Sequence, residues 1–262
     1  MSDRALLETR GLSRLFGGVV AIEGFDIEVR KGEVRGLIGP NGAGKTTLFN
    51  VIAGLLRPSS GQTLFEGEDV SGHSAHQLAR LGIRRTFQNL QLFRDMTVLQ
   101  NVIMGLHTRG RAEVFAALLR TGGQRREERW MSDEALRTLE FIGLSDEAQT
   151  RASALPYGRM RMLEVGRALV SQPKLLLLDE PAAGLNASEC LTLVDLIDRI
   201  QERGITVMLV EHRMDVVMRA CGTITVLNYG HKLAEGSPAA IQANSEVVEA
   251  YLGRSGTFTR RR

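Results

Sequence analysis

Residues 39–47, which read GPNGAGKTT, constrain the fold of this chain more than any other segment. They follow the apolar run Val34–Ile38 and precede a second apolar run at positions 48–52. Glycines at these spacings let the backbone fold back tightly, so that several N–H groups point inward at one phosphate. A plain glycine turn between a strand and a helix is the alternative. The complete G-x-x-x-x-G-K-[ST] pattern in a strand–loop–helix context instead favours a loop that binds nucleotide phosphates.

Individual residues of this loop have separate predicted roles. The helix that begins near Gly44 adds its positive end, and Lys45 bridges the outer phosphates. The Thr46 hydroxyl is placed to ligate Mg²⁺. We assign nine consecutive residues to the phosphate-binding loop: Gly39, Pro40, Asn41, Gly42, Ala43, Gly44, Lys45, Thr46 and Thr47.

Length and composition are typical of a globular α/β protein. The 262 residues suffice for one large domain or for a core with an attached subdomain, and 43% hydrophobic residues can supply the core. The net charge of +3 does not by itself indicate a nucleic-acid partner, and none is expected. The arginines at 260–262 are typical of a solvated tail, with a membrane-surface role as the alternative.

Cysteine usage and apolar segments bear on the compartment. Cys190 and Cys221 are isolated, so neither a disulfide framework nor a zinc site is indicated. The first residues carry scattered charges and lack the apolar core of a secretory signal. No apolar run approaches the ~20 residues needed to cross a bilayer. We therefore expect a cytosolic protein, whose membrane part, if it acts in transport, is another polypeptide.

The apolar pattern predicts a single domain, residues 1–262, in three consecutive parts. Residues 1–97 form an N-terminal β part together with the phosphate loop, and residues 98–168 form a helical subdomain. Residues 169–262 complete the core and end in the C-terminal tail. Within the helical part, residues 108–129 are rich in Arg and Gly and are typical of an irregular insertion.

Shorter patterns predict the individual elements. A helix is predicted over 188–203, with Leu191, Val194, Ile197 and Ile200 at helical spacing. Strands are predicted over residues 6–16, 25–29, 34–38, 63–65, 83–87, 175–178, 205–210 and 223–227. The strands at 175–178 and 205–210 are apolar on both faces, which is typical of a buried parallel sheet.

Polar residues at strand ends are the candidates for chemistry. Asp179 and Glu180 end the strand at 175–178, where Asp179 can hold Mg²⁺ and Glu180 can take a proton from an attacking water. A strand that simply ends in exposed acids is the alternative, which the phosphate loop disfavours. His212 and Gln88 also follow predicted strands. Taken alone, a surface histidine and a hydrogen-bonded loop glutamine explain them equally well.

Together these motifs resemble the nucleotide-binding subunit of an ATP-binding cassette (ABC) transporter. The resemblance covers essentially the whole chain and implies an α/β fold. That fold is a P-loop NTPase core with an N-terminal antiparallel β subdomain and an inserted α-helical subdomain. It also implies ATP and Mg²⁺ as ligands. By this resemblance Phe16 stacks on the adenine, Gln88 senses the γ-phosphate and the magnesium, Asp179 is the magnesium-site acid, Glu180 is the catalytic base, and His212 is the switch histidine.

The resemblance also assigns residues 155–159, which read LPYGR, to the signature segment of the family. In the family this segment caps ATP bound to a second ATPase subunit in a head-to-tail homo- or heterodimer. Tyr157, Gly158 and Arg159 are therefore assigned to nucleotide contacts. The common signature is Leu-Ser-Gly-Gly-Gln, so capping here must depend on backbone N–H groups near Gly158 and on the positive end of the following helix. Asn186 likewise stands where an Asp is common.

Further segments narrow the resemblance to one group, the ATP-binding subunits of branched-chain (hydrophobic) amino-acid importers. They are residues 85–88, 92–98, 108–129, 179–186 and 250–253. The partners implied are integral-membrane permease subunits, a second ABC ATPase subunit, and a periplasmic binding protein acting through the permease. The implied location is peripheral, at the cytoplasmic face of the inner membrane. In this reading ATP binding closes the dimer and hydrolysis reopens it.

Three other functions remain open at this point. The same machinery is shared by importers of urea, short amides or other solutes. A soluble ABC ATPase acting on DNA or ribosomes is a second alternative, although the chain lacks a basic stripe, long coiled coils and zinc modules. A regulatory module that binds ATP without hydrolysing it is the third, and the altered signature favours it while Lys45, Asp179, Glu180 and His212 disfavour it.

Overall fold

The computed structural model describes residues 5–86, 90–106 and 122–252. Gln88 lies outside the described residues, as do residues 107–121, which include most of the predicted insertion, and residue 253.

An antiparallel sheet forms the N-terminal part. Strands β1 (Ala5–Phe16) and β2 (Val19–Arg30) make a hairpin through the glycines at 17 and 18. Strands β4 (Ser60–Phe65) and β5 (Glu68–Asp69) extend it to the order β2-β1-β4-β5. Alternate residues of β2, such as Phe25, Ile27 and Val29, are buried, because successive side chains of a strand point to opposite faces. The predicted antiparallel β subdomain is confirmed.

A second sheet of six strands forms the core. The strands are β3 (Val34–Ile38), β6 (Ile83–Arg85), β7 (Leu175–Asp179), β8 (Thr206–Val210), β9 (Thr223–Asn228) and β10 (His231–Gly236). Their order is β10-β9-β3-β8-β7-β6, and all neighbours run parallel except β10, which is antiparallel to β9. Every residue of β3, β7 and β8 is buried, as the apolar runs predict for strands covered on both faces.

The two faces of this sheet belong to two hydrophobic clusters. Leu176 and Leu178 of β7 face the cluster that contains the helical subdomain. Leu175 and Leu177, on the opposite face, join the cluster made with β1 and β2 and with the first helix. The central sheet therefore holds the helical part and the antiparallel sheet on opposite sides, and its strand ends carry the candidate site.

Nine helices are found among the described residues, three of which form the predicted helical subdomain. Those three contact one another: α3 (Val98–Met104), α4 (Gly122–Ile142) and α5 (Tyr157–Leu169). The remaining helices are α1 (Lys45–Ile52), α2 (Ala75–Leu81), α6 (Ala187–Glu202), α7 (Met214–Ala220), α8 (Pro238–Gln242) and α9 (Ser245–Leu252).

The helix predicted over 188–203 is confirmed by α6, although one of its four spaced apolar residues is not buried. Leu191 is 48% exposed, whereas Val194, Ile197 and Ile200 are buried together with Cys190. A strict spacing of three residues drifts around a helix of about 3.6 residues per turn, so that positions nine apart lie about 180° from each other. Leu191 and Ile200 therefore cannot share one face.

Candidate active site

Close backbone packing forms the loop between β3 and α1. Gly39 has a φ of 154°, and a Cβ there would lie 2.0 Å from the Leu227 carbonyl oxygen. Gly44 has a φ of 106°, and a Cβ there would lie 2.4 Å from the Ala21 carbonyl oxygen. Larger residues cannot occupy either position without moving backbone. The glycines of the motif thus serve the packing of the loop against its neighbours as well as its curvature.

Helix α1 starts at Lys45 and points its N-terminus into the loop. Its N-cap, Gly44, provides no side-chain hydrogen bond, and the first turn contains no acidic residue. The free N–H groups and positive end of such a helix are well suited to an anion. Lys45 is 6% exposed, and its Nζ donates to the carbonyl oxygens of Gly39 at 2.7 Å and Pro40 at 2.9 Å. The ammonium is thereby held inside the loop.

A cavity of about 370 Å³ opens at this loop. Glu180, which follows β7, and His212, which follows β8, line it together with the phosphate loop and the start of β2, so four segments distant in sequence meet here. Its lining residues are Val19, Val20, Ala21, Asn41, Gly42, Ala43, Gly44, Lys45, Thr46, Thr47, Glu180 and His212. The predicted phosphate loop, base and switch histidine therefore share one cavity.

Glu180 and His212 contact each other directly. The His212 Nε2 lies 2.7 Å from the Glu180 Oε1. Glu180 has a φ of 48°, an uncommon conformation for a non-glycine residue and one that is often found at functional sites. Its backbone N–H donates to the Val210 carbonyl at 2.8 Å, which ties the end of β7 to β8.

Asp179 lies one residue before Glu180 but has a different environment. It is 2% exposed, and its Oδ2 accepts a 2.6 Å hydrogen bond from Arg85 Nη2. Arg85 also donates to Asn50 Oδ1 at 2.6 Å, which connects Asp179 to helix α1. Sequence reasoning gave Arg85 no role in the site. The available signal was an arginine at the end of a strand that pairs in parallel with β7.

The aromatic residue assigned to adenine lies at the rim of the cavity. Phe16 ends β1 and is 43% exposed, with the Arg14 guanidinium 4.6 Å from its ring centroid. Its register partner in β2 is Val19, which lines the cavity. An exposed aromatic ring beside the mouth of the cavity is available for stacking.

The structure does not bring the signature residues to the phosphate loop of the same chain. Tyr157 begins α5 and is 44% exposed. Gly158 and Arg159 line a separate cavity of about 320 Å³. The Arg159 Nη1 donates to the Gly143 carbonyl at 2.5 Å and lies 3.6 Å from Glu147, so its charge is directed into the helical subdomain.

The fold and the site define a P-loop nucleotide-binding protein. The family model for ABC transporters matches residues 22–183, and that for branched-chain amino acid ATP-binding cassette transporters matches residues 231–257. The chain belongs to the ABC transporter family and is one of its ATP-binding subunits, which are ATPases.

Individual relatives cover nearly the whole chain. The high-affinity branched-chain amino acid transport ATP-binding protein BraF of Pseudomonas aeruginosa is 41% identical over 97% of this chain and 100% of its own length. The corresponding protein LivG of Escherichia coli is 42% identical over the same shares. A solved ATP-binding cassette of an ABC transporter in its ADP conformation matches with a TM-score of 0.84 and 34% identity, over 95% of this chain and 99% of that one.

Within the described ranges, no helix is both long enough and apolar enough to cross a membrane.

Proposed function

We propose that this chain is the ATP-hydrolysing subunit of a membrane importer for branched-chain or other hydrophobic amino acids. The proposal that the chain hydrolyses ATP rests on the contact between Glu180 and His212 in the cavity that the phosphate loop lines. The solute is supported by the relatives BraF and LivG, whose names state branched-chain amino acid transport, and by the family match at residues 231–257.

The chemistry follows from the side chains at the cavity. Lys45 and backbone N–H groups of residues 41–47 hold the phosphates and stabilise the charge that develops on them. Glu180 accepts the proton of a water that attacks the γ-phosphorus, while the bond from that phosphorus to the β,γ-bridging oxygen breaks and ADP leaves. His212 holds the Glu180 carboxylate in place through the 2.7 Å contact and helps to orient that water. Phe16 stacks on the adenine.

Magnesium fits the residues available. Thr46 offers a hydroxyl oxygen beside the loop, and Asp179 offers a buried carboxylate whose charge Arg85 partly balances. Mg²⁺ prefers such oxygen ligands and usually keeps several waters while bound to substrate phosphates. We assign Thr46 and Asp179 to this ion, with Gln88 as a third ligand and γ-phosphate sensor. When bound, the ion neutralises charge on the phosphates.

We further propose that a second ATPase subunit completes the site. Tyr157, Gly158 and Arg159 are not among the residues that line the cavity of their own chain, and we assign them to a nucleotide bound by the partner subunit. Helix α5 carries no acidic residue in its first turn, and its N-cap makes no side-chain hydrogen bond. The free N–H groups of α5 can therefore cap a phosphate without the usual serine.

A groove of about 580 Å³ is our candidate for the permease contact. Phe93 is 45% exposed at its edge, and the Arg167 guanidinium lies 5.8 Å from the Phe93 ring centroid. Burial lowers the pKa of Arg167, which is consistent with an enclosed, partly apolar groove. A helix from a membrane-spanning permease subunit fits such a surface. The chain would then sit peripherally at the cytoplasmic face of the inner membrane, and the periplasmic binding protein would act through the permease.

The division into parts is also a proposal. Residues 98–168 would move as a helical unit against the core formed by residues 1–97 and 169–262, within one domain. ATP would favour the closed arrangement of the two subunits, because it binds that state better.

The experiment is a pull-down from detergent-solubilised membranes with the Glu180→Gln chain and Mg-ATP. We expect multi-span permease subunits and a second ATP-binding cassette to be recovered, and Lys45→Ala is the control that should lose them. Recovery of soluble proteins or nucleic acid alone would contradict the transport proposal.

A further inference from the structure

We infer that Glu211 and Arg213 are positioning residues that fasten the loop at 182–185 to the segment carrying His212, and so hold His212 against Glu180. We call these two residues the loop clamp. The inference deepens the proposed function and rests on it. Sequence reasoning considered neither residue, because both the contacts and the burial are set by the fold.

Glu211 is a buried carboxylate with three backbone donors. It is 2% exposed, and its Oε1 accepts from the Ala182 N–H at 2.7 Å. Its Oε2 accepts from the N–H groups of His212 at 2.7 Å and Arg213 at 3.0 Å. Charged acceptors form the stronger class of hydrogen bond, and a buried carboxylate without partners is costly. The two loops are thereby fixed to one side chain.

Arg213 makes the second attachment. Its Nη1 donates to the Leu185 carbonyl at 2.9 Å and lies 2.9 Å from the Cys190 Sγ. Its Nε and Nη2 contact the carboxylate of Asp215 at 3.2 and 2.8 Å, which orients the guanidinium. The loop at 182–185 is therefore held at its first residue by Glu211 and at its last by Arg213.

The clamp acts on the candidate catalytic pair because the attachment points adjoin it. Ala182 is two residues after Glu180, and His212 follows Glu211 directly. A shift of either loop would change the 2.7 Å separation between the Glu180 Oε1 and the His212 Nε2. Among the residues that the structure describes, Glu211 and Arg213 form hydrogen bonds within segments 182–190 and 212–215 and none with the phosphate loop at 39–47, so we expect the clamp to affect the orientation of His212 rather than nucleotide binding.

Glu211→Gln tests this with little change of shape. The amide keeps one acceptor oxygen and presents an NH₂ group to a backbone N–H, so that at least one loop loses its attachment. We expect kcat for ATP to fall about tenfold to hundredfold, as misplacement of catalytic groups does, while ATP affinity changes less than about twofold. Glu235→Gln is the matched control, since Glu235 bonds the buried Arg35 and Thr225 away from the cavity. It should retain the wild-type kcat.

A double-mutant cycle separates positioning from general destabilisation. If Glu211 acts through the Glu180–His212 pair, Glu211→Gln should cause little further loss in a His212→Ala background. Equal fold losses in both backgrounds, or a wild-type kcat for Glu211→Gln, would overturn the inference. Should Glu211→Gln not fold, Arg213→Lys takes its place, because Arg213 is partly exposed and lysine cannot make both attachments. An expected loss of several-fold in kcat supports the clamp, and a wild-type kcat overturns it.

Different results would contradict the proposed function and the loop clamp. Unchanged turnover in both Glu180→Gln and His212→Ala would show that these two residues are not a catalytic pair. Loss of turnover in those two variants, with wild-type turnover in Glu211→Gln or in its replacement Arg213→Lys, would overturn only the clamp.

Discussion

Arg85 and Asp179 form a buried ion pair, with 2.6 Å between Nη2 and Oδ2 and side chains that are 8% and 3% exposed. Each residue is the last of its strand, β6 and β7, and these strands run parallel. The pair therefore lies at the same end of the sheet as Glu180. Arg85 balances the buried charge of Asp179, the proposed magnesium ligand, without a metal ion. For that reason Arg85 belongs to the site.

Replacing Arg85 tests the energetic role of this pair. We expect Arg85→Met to lower the free energy of unfolding by about 3–5 kcal/mol, because it leaves an uncompensated buried carboxylate. Denaturant unfolding measures the change. Lys174→Met breaks the exposed pair with Glu66 and should cost less than about 1 kcal/mol. Equal losses in the two variants would contradict the role given to burial.

Lys45→Ala tests the phosphate loop. The variant lacks the ammonium group that donates to the carbonyl oxygens of Gly39 and Pro40 and that we expect to donate to the phosphates of ATP. Charged hydrogen bonds contribute about 1.5–3 kcal/mol, so ATP affinity should fall by about tenfold to hundredfold. Calorimetric titration with ATP measures this, and Lys232→Ala is the control. Unchanged affinity in Lys45→Ala would exclude the ammonium from phosphate binding.

Gly44→Ala tests the backbone packing of the loop. A methyl group there would meet the Ala21 carbonyl, and the φ of 106° is unfavourable for alanine. We expect a destabilisation of at least about 1–3 kcal/mol, together with loss of ATP binding. Gly72→Ala is the control, since no heavy atom lies within 4 Å of the position that a Cβ would take there and the φ of Gly72 is outside the left-handed region. A Gly44→Ala variant with wild-type stability and affinity would contradict the described loop.

Thiol reactivity tests the burial of the two cysteines. Burial raises the pKa of Cys221 to about 12, and it also raises the pKa of Cys190, against the opposing charge of Arg213. A raised pKa keeps the thiol protonated, and only the thiolate reacts. At pH 8 the folded chain should therefore resist a thiol reagent, and both thiols should react after unfolding. Rapid labelling of the folded chain would contradict this burial.

The sequence was most informative where one short segment determines the structure. The strands at 175–178 and 205–210 are apolar on both faces, and they form β7 and β8 as predicted. The segment 6–16 was likewise predicted as a strand and forms β1, whereas the antiparallel sheet was an expectation from the family resemblance. These strand predictions succeed because the order of apolar and polar residues along a strand shows whether one or both of its faces are buried. The C-terminal strand β10, which runs from His231 to Gly236, was missed because it lies at a sheet edge and is largely polar.

Contacts between distant segments could not be predicted from the residues themselves. Asp179 pairs in register with Val210, and this register brings Glu180 to His212. Neither segment encodes that β7 and β8 are neighbours, so the resemblance to a known family supplied the expectation. The roles of Arg85 and Glu211 were missed for the same reason. The helix over 188–203 was predicted correctly as α6, but the spacing of its apolar residues did not show that Leu191 is exposed.

The most direct test of the account is ATP turnover by the purified chain, compared between the wild type and Glu180→Gln in the presence of Mg²⁺. We predict measurable hydrolysis by the wild type. In Glu180→Gln we predict a loss of at least about hundredfold in kcat, because the base is removed, while the variant still binds ATP. Equal turnover in the two proteins would contradict the assignment of Glu180 as the base and the mechanism built on its contact with His212.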